Sequence, residues 1–118
     1  MTTRDKGAAF ETAALTTLEK AGLTLIARNW QCRYGEIDLV MREADTVVFV
    51  EVRYRVRTGD GLSSIGPQKQ AKLVRAAQMF LAERPALARQ PCRFDTVAFS
   101  RTDDNAGCDW QRAAFDAF

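Results

Sequence analysis

The chain has 118 residues, 47% hydrophobic and 27% charged, with a formal net charge of +2, three cysteines and no histidine. Its length and composition fit one soluble globular domain, 1–118, with a core of its own. The apolar runs are too short for a membrane-spanning helix and nothing behind Met1-Thr2-Thr3 resembles a signal peptide, so a cytoplasmic protein is expected. Without histidine, Ser-His-Asp and Cys-His catalysis and His-ligated zinc hydrolysis drop out, and any hydrolytic chemistry must rest on carboxylates and metal.

Cys32, Cys92 and Cys108 are odd in number and widely spaced. They support neither a disulfide framework nor a zinc site, and free, partly buried thiols are expected. A charge of +2 does not make a polycation, so attraction for nucleic acid must depend on where the charges sit.

In chain order, Asp5 to Ala21 reads as a helix, with Asp5 as its cap and Gly22 as its stop. Ala8, Glu11, Leu15 and Leu18 form its apolar stripe, which places Glu11 along the packing face. Leu23 to Trp30 reads as a strand. Two further strands follow, Gly35–Arg42 and Thr46–Arg57, rich in β-branched and aromatic residues and separated by the short polar break Glu43-Ala44-Asp45. A hairpin turning between Ala44 and Asp45 pairs residues whose numbers sum to 89, so Asp38 faces Glu51 and Glu36 faces Arg53. Opposed carboxylates repel, and a divalent metal with oxygen ligands relieves them. Charges on a solvated edge strand would read the same way. This face differs in beginning apolar, at Val47 and Phe49, before it turns acidic. Val50, Val52 and Tyr54 lie on the other face, which is expected to carry the apolar packing.

Thr58 to Gly66 reads as a glycine- and serine-rich loop. Pro67 opens a second helix that runs to about Glu83. Its stripe is Leu73, Val74, Ala77, Phe80 and Leu81, and Lys69 and Lys72 project from another side. From Glu51 to Arg75 there are six basic residues, Arg53, Arg55, Arg57, Lys69, Lys72 and Arg75, against two acids, a local +4. A basic rim around an acidic centre suits a phosphodiester substrate. Arg93 to Arg101 reads as a strand and Thr102 to Gly107 as a turn. Cys108 to Phe118 reads as either a strand or an irregular tail, with Phe115 and Phe118 packing back on the body.

Glu11, Gly35-Glu36-Ile37-Asp38-Leu39, Val48 to Arg55 with its Glu51-Val52-Arg53, Lys69 and Arg93-Phe94-Asp95 form a series over nearly the whole chain that resembles the small YraN-like bacterial family. The resemblance implies an α/β restriction-endonuclease-like fold, a mixed sheet of four or five strands flanked by helices, similar to archaeal Holliday junction resolvases. It implies a Mg²⁺- or Mn²⁺-dependent DNA endonuclease acting on double-stranded, branched or otherwise structured DNA, and a homodimer by analogy with resolvases. Carried over, Glu11, Asp38, Glu51 and the carbonyl of Val52 would hold the metal. Asp38, Glu51 and Arg53 would be catalytic, and the basic rim read from the charge pattern, through Arg55, Arg57, Lys69 and Lys72, would bind nucleic acid.

The sequence departs from the fold's pattern at Arg53, where lysine is usual. Arginine can stabilise developing charge but cannot act as a base. Three consequences are open: the chemistry needs no lysine, Lys69 or Lys72 supplies one from the second helix, or turnover is lost. The last gives a second reading, a non-catalytic nucleic-acid-binding module. A third is a protein-interaction adaptor on the same fold.

Overall fold

The computed structural model describes residues 3–55, 65–100 and 108–115. Arg57, residues 58–64 of the expected loop, the turn at 102–107, Phe118 and the side chain of Arg55 lie outside the described residues. The elements are α1 (Thr3–Lys20), β1 (Thr24–Cys32), β2 (Gly35–Glu43), β3 (Thr46–Arg55), α2 (Pro67–Ala82), the single turn α3 (Pro85–Ala88), β4 (Cys92–Ser100) and β5 (Cys108–Phe115). They build one five-stranded sheet in the order β1-β2-β3-β4-β5. β3 and β4 are parallel and the other neighbours antiparallel. The parallel pair requires a crossover, and α2 lies in it. This is the α/β arrangement, a mixed sheet flanked by helices, expected for the restriction-endonuclease-like class.

α1 begins at Thr3, so Asp5 lies in its first turn rather than at its cap. It ends as Gly22 predicts. Gly22 has φ 101°, and the N–H groups of Gly22 and Leu23 return to the carbonyls of Glu19 and Leu18 at 3.0 and 3.1 Å, a glycine-terminated Schellman closure. The buried stripe of α1 is rotated from the expected one: Ala14 and Leu18 are buried and Ala8 is exposed. Glu11 remains on its flank, half-buried.

The β2–β3 register is the one the turn dictates, with Leu39 opposite Val50, Val40 opposite Phe49 and Glu43 opposite Thr46. Ala44 holds the turn with φ 52°.

Both faces of the sheet carry apolar packing, not only that of Val50 and Val52. On one, Val40, Val47, Phe49 and Phe94 meet Leu73, Ala77 and Phe80 of α2. On the other, Leu39, Met41, Val48, Val50 and Val97 meet Ala14 and Leu18 of α1. A helix on each face explains the near-continuous apolar run through β2 and β3. Cys108 to Phe115 is a strand, and Phe115 stacks on Phe94 at 4.7 Å between ring centroids. The three cysteines are free and half-buried.

Candidate functional site

The site forms where β2 and β3 part. Their ladder is regular from the turn to Leu39–Val50, and beyond it the Val52 N–H donates to the Asp38 carboxylate (Oδ2, 2.8 Å). A side chain thus takes the place of the next backbone partner. On the other side of β2, Asn29 lies between the pairs Arg28–Leu39 and Trp30–Ile37 and has φ 55°, a conformation asparagine tolerates better than most residues. Strand alternation breaks at this level. Ile37 enters the core under α2, whereas Leu39, two residues on, enters the core under α1.

This distortion gathers acids from three elements. Single carboxylate oxygens of Glu11 (α1), Glu36 and Asp38 (β2) lie within 4.8 Å of one another. Glu51 (β3), almost fully buried, joins the group through a hydrogen bond between its carboxyl and that of Asp38. Burial first and the Glu51 charge second push Asp38 up to about 8, and the Val52 N–H, pulling the other way, does not prevail. Glu11 is also raised, by burial and then by the charge of Glu36, against the lowering effect of Arg28. Arg28 approaches Glu11 at 3.8 Å and ties β1 to α1 through the Ala8 carbonyl (3.1 Å) and the Thr12 hydroxyl (2.8 Å).

Across from the acids stands α2. Lys69 Nζ lies 2.6 Å from Glu51 Oε2, although the lysine side chain is 60% exposed and the glutamate side chain 7%. A cleft of about 570 Å³ opens here, with Glu36, Asp38, Glu51 and Val52 on one wall and Lys69 and Lys72 on the other. An acidic floor and a cationic wall suit a phosphodiester chain: the wall attracts the polyanion and the floor demands a cation.

The donor set fits a divalent metal. All the donors are carboxylate oxygens, the chemistry Mg²⁺ and Mn²⁺ select. Glu11, Glu36 and Asp38 would hold the ion, with Glu51 beside them.

Glu11, Asp38 and Glu51 therefore meet around Asp38. Arg53 is half-buried on β3, opposite Ala98 of β4. Glu36 is not aligned with Arg53. It pairs with Gln31 of β1 and turns its carboxylate into the acid cluster. Hairpin arithmetic overlooked this because it carried the β2–β3 ladder past Leu39–Val50, where the pairing ends. Of the two lysines considered as reaching the site from the second helix, Lys69 is the one that pairs with Glu51.

Fold and site together define a mixed-sheet α/β protein that collects carboxylates at a strand opening beside a basic cleft. The model of the uncharacterised protein family UPF0102 matches residues 10–99, and the chain belongs to that family, the YraN-like family its motifs resemble. It is 52% identical to a UPF0102 protein of Ectopseudomonas mendocina (strain ymp) over 115 residues, covering 96% of each chain. It is 47% identical to one of Stutzerimonas stutzeri (strain A1501) over 116 residues, covering 97% of each. Among solved structures it is similar to Pyrococcus furiosus SfsA in complex with Ca²⁺, at 15% identity and a TM-score of 0.43. That match covers 97% of this chain, which spans 65% of the SfsA chain. No described helix is long and apolar enough to cross a membrane.

Proposed function

We propose that this protein is a metal-dependent DNA endonuclease that hydrolyses phosphodiester bonds, with branched or otherwise structured DNA as substrate. The observation that carries the reading is the crowding of Glu11, Glu36 and Asp38 within 4.8 Å beside a cleft walled by lysines. A Mg²⁺ or Mn²⁺ ion bound there supplies Lewis acidity toward phosphoryl oxygen and a lowered pKa for water. The protein's own parts do the rest. Asp38 is fixed by the Val52 N–H. The Val52 carbonyl is a further ligand in this reading. Lys69, held at Glu51, supplies the amine that Arg53 replaces in the fold's usual pattern, and can orient a water or carry a proton at Nζ. Arg53 stabilises charge developing on the phosphate. Lys69 and Lys72 grip flanking phosphates, with Arg55 and Arg57 extending that role. Cutting both strands of a branch takes two such sites, so a homodimer belongs to this reading.

The test is cleavage of duplex, single-stranded and four-way-junction DNA by purified protein, with and without Mn²⁺, beside Asp38→Ala and Glu51→Ala. We expect Mn²⁺-dependent cleavage that both variants lose while still binding DNA. Salt-sensitive binding by the wild type without cleavage of any substrate would favour the second reading, a non-catalytic DNA-binding module, which Arg53 motivates.

A further inference from the structure

The cleft continues past the acids to Tyr34. β1 and β2 are joined by the two residues Arg33-Tyr34, between the paired Cys32 and Gly35. Gly35 has φ 135°, a backbone state that favours glycine, and it closes the turn so that Tyr34 lines the cleft. Two guanidiniums converge on that ring. Arg33 Cζ lies 5.0 Å from its centroid and also donates from Nη2 to the Tyr34 hydroxyl at 3.0 Å. Arg75 Cζ, from α2, lies 5.7 Å from the same centroid. Neither has a carboxylate partner among the described residues, unlike Arg28, Arg84, Arg93 and Arg112.

Arg75 is also the third member of a row. Lys69, Lys72 and Arg75 recur every three residues along one edge of α2, a like-charge spacing that weakens a helix. Glu51 pairs with Lys69, and among the described residues no carboxylate pairs with Lys72 or Arg75. The row covers about 9 Å of helix axis, enough for more than one phosphate of a strand that carries a charge every 3.4 Å or so.

We infer that Arg33 and Arg75, gathered on Tyr34 at the margin of the cleft, and Lys72 on its wall form a phosphate-binding subsite that holds the nucleic-acid backbone beside the acid cluster and sets the path of the strand through the cleft. Tyr34 is a positioning residue, holding two cations together that would otherwise repel. The inference rests on the nucleic-acid reading of the cleft but not on cleavage. Phosphates beyond the one at the acid cluster therefore contribute to affinity, and a polynucleotide is expected to bind more tightly than a mononucleotide.

The test is binding of a fluorescently labelled duplex in metal-free buffer across a salt series, by anisotropy. Arg33→Gln and Arg75→Gln are each expected to lower the slope of log K against log salt by about 1, and the double variant by about 2. Arg89→Gln, an exposed arginine outside the pair gathered on Tyr34, should leave the slope unchanged. Melting curves matching the wild type show that the variants fold. Wild-type slopes in Arg33→Gln and Arg75→Gln, or an equal loss in Arg89→Gln, would overturn this inference and leave the endonuclease proposal standing. Failure of the wild type to bind DNA even at low salt would overturn both.

Discussion

Strand β2 ends in carboxylates at both of its termini, and the protein treats the two ends in opposite ways. At the hairpin end, Glu43 accepts from Arg93 Nη1 at 2.8 Å and from Arg112 Nη1 at 2.7 and 2.9 Å. Asp95, fully buried beside it, takes four donors: Arg93 Nε and Nη2, the Trp110 indole N–H and the Ala113 N–H, all within 3.2 Å. Two acids meet two guanidiniums, and the hydrogen bonds of Arg112 and then Arg93 hold Glu43 below the usual carboxylate range. At the opening end, carboxylate faces carboxylate and Asp38 is pushed up to about 8. One chain builds both, so it has the means to neutralise an acid and does not use them at Asp38. A saturated cluster locks structure, whereas an acid cluster left crowded at a cleft asks for a cation.

The comparison is broken most severely at Asp95. Asp95→Ala would strand a buried guanidinium, an indole N–H and a backbone N–H, a loss of about 3–5 kcal/mol. Urea unfolding should show it as a large fall in the midpoint, to the point of no folded protein at 37 °C. Asp38→Asn, equally acidic in origin, should cost little in metal-free buffer and be more stable than the wild type at alkaline pH, because it removes a charge that burial disfavours.

Metal sharpens the contrast next. Mn²⁺ at one hundred times its dissociation constant should stabilise the wild type by about 2.7 kcal/mol, read as a shift in melting temperature. Asp38→Asn and Glu36→Gln should lose most of that shift, and Glu43→Gln should keep it. An equal shift in all three variants would remove the ion from the acid cluster.

The two ends should also titrate in opposite senses. Asp38 has a folded pKa above its ordinary value of 3.8, so its ionisation favours unfolding. Its contribution is full below about pH 4 and is lost as pH rises toward about 8. Glu43 has a depressed folded pKa. Its contribution is present above about 4.5 and is lost as pH falls through the lower folded value. In metal-free unfolding series, Asp38→Asn should flatten the decline between pH 5 and 8, and Glu43→Gln should flatten only the acid limb.

Much of this was legible in the sequence, and the reasons are specific. The two-residue turn at Ala44-Asp45 fixes the β2–β3 register, and with it the approach of Asp38 to Glu51. Pro67 marks the start of α2, and Gly22 the end of α1. What sequence spacing missed depends on contacts distant in the chain. Glu36 turns to the acids and not to Arg53 because the β2–β3 ladder ends at Leu39–Val50, which leaves Glu36 paired with Gln31 of β1. Cys108–Phe115 could be a strand or a tail by its own pattern. Its register shift opposite Asp95 is held by a carboxylate that accepts from the N–H of Ala113, itself at φ 50°. The convergence of Arg33 and Arg75 on Tyr34 needs the crossover to lay α2 along the turn.

The smallest effect tests whether the hairpin end is structural alone. Arg112 is nearly half exposed, its side chain at 47%, and it shares Glu43 with the better-buried Arg93. Water screens such a pair, so Arg112→Gln should cost no more than about 0.5–1 kcal/mol, including the loss of its guanidinium from the Trp110 ring, where Cζ lies 4.0 Å from the centroid. Arg93 still holds Glu43 and Asp95 in that variant, so the network should loosen at its rim and keep its centre. A differential scan should therefore register a drop of a few degrees at most. DNA binding and Mn²⁺ stabilisation should stay at wild-type values, because nothing in the hairpin-end network reaches the cleft. If Arg112→Gln instead weakened DNA binding as much as Arg75→Gln, the division of labour along β2 would be wrong, and the basic residues at both ends would have to be read as one surface.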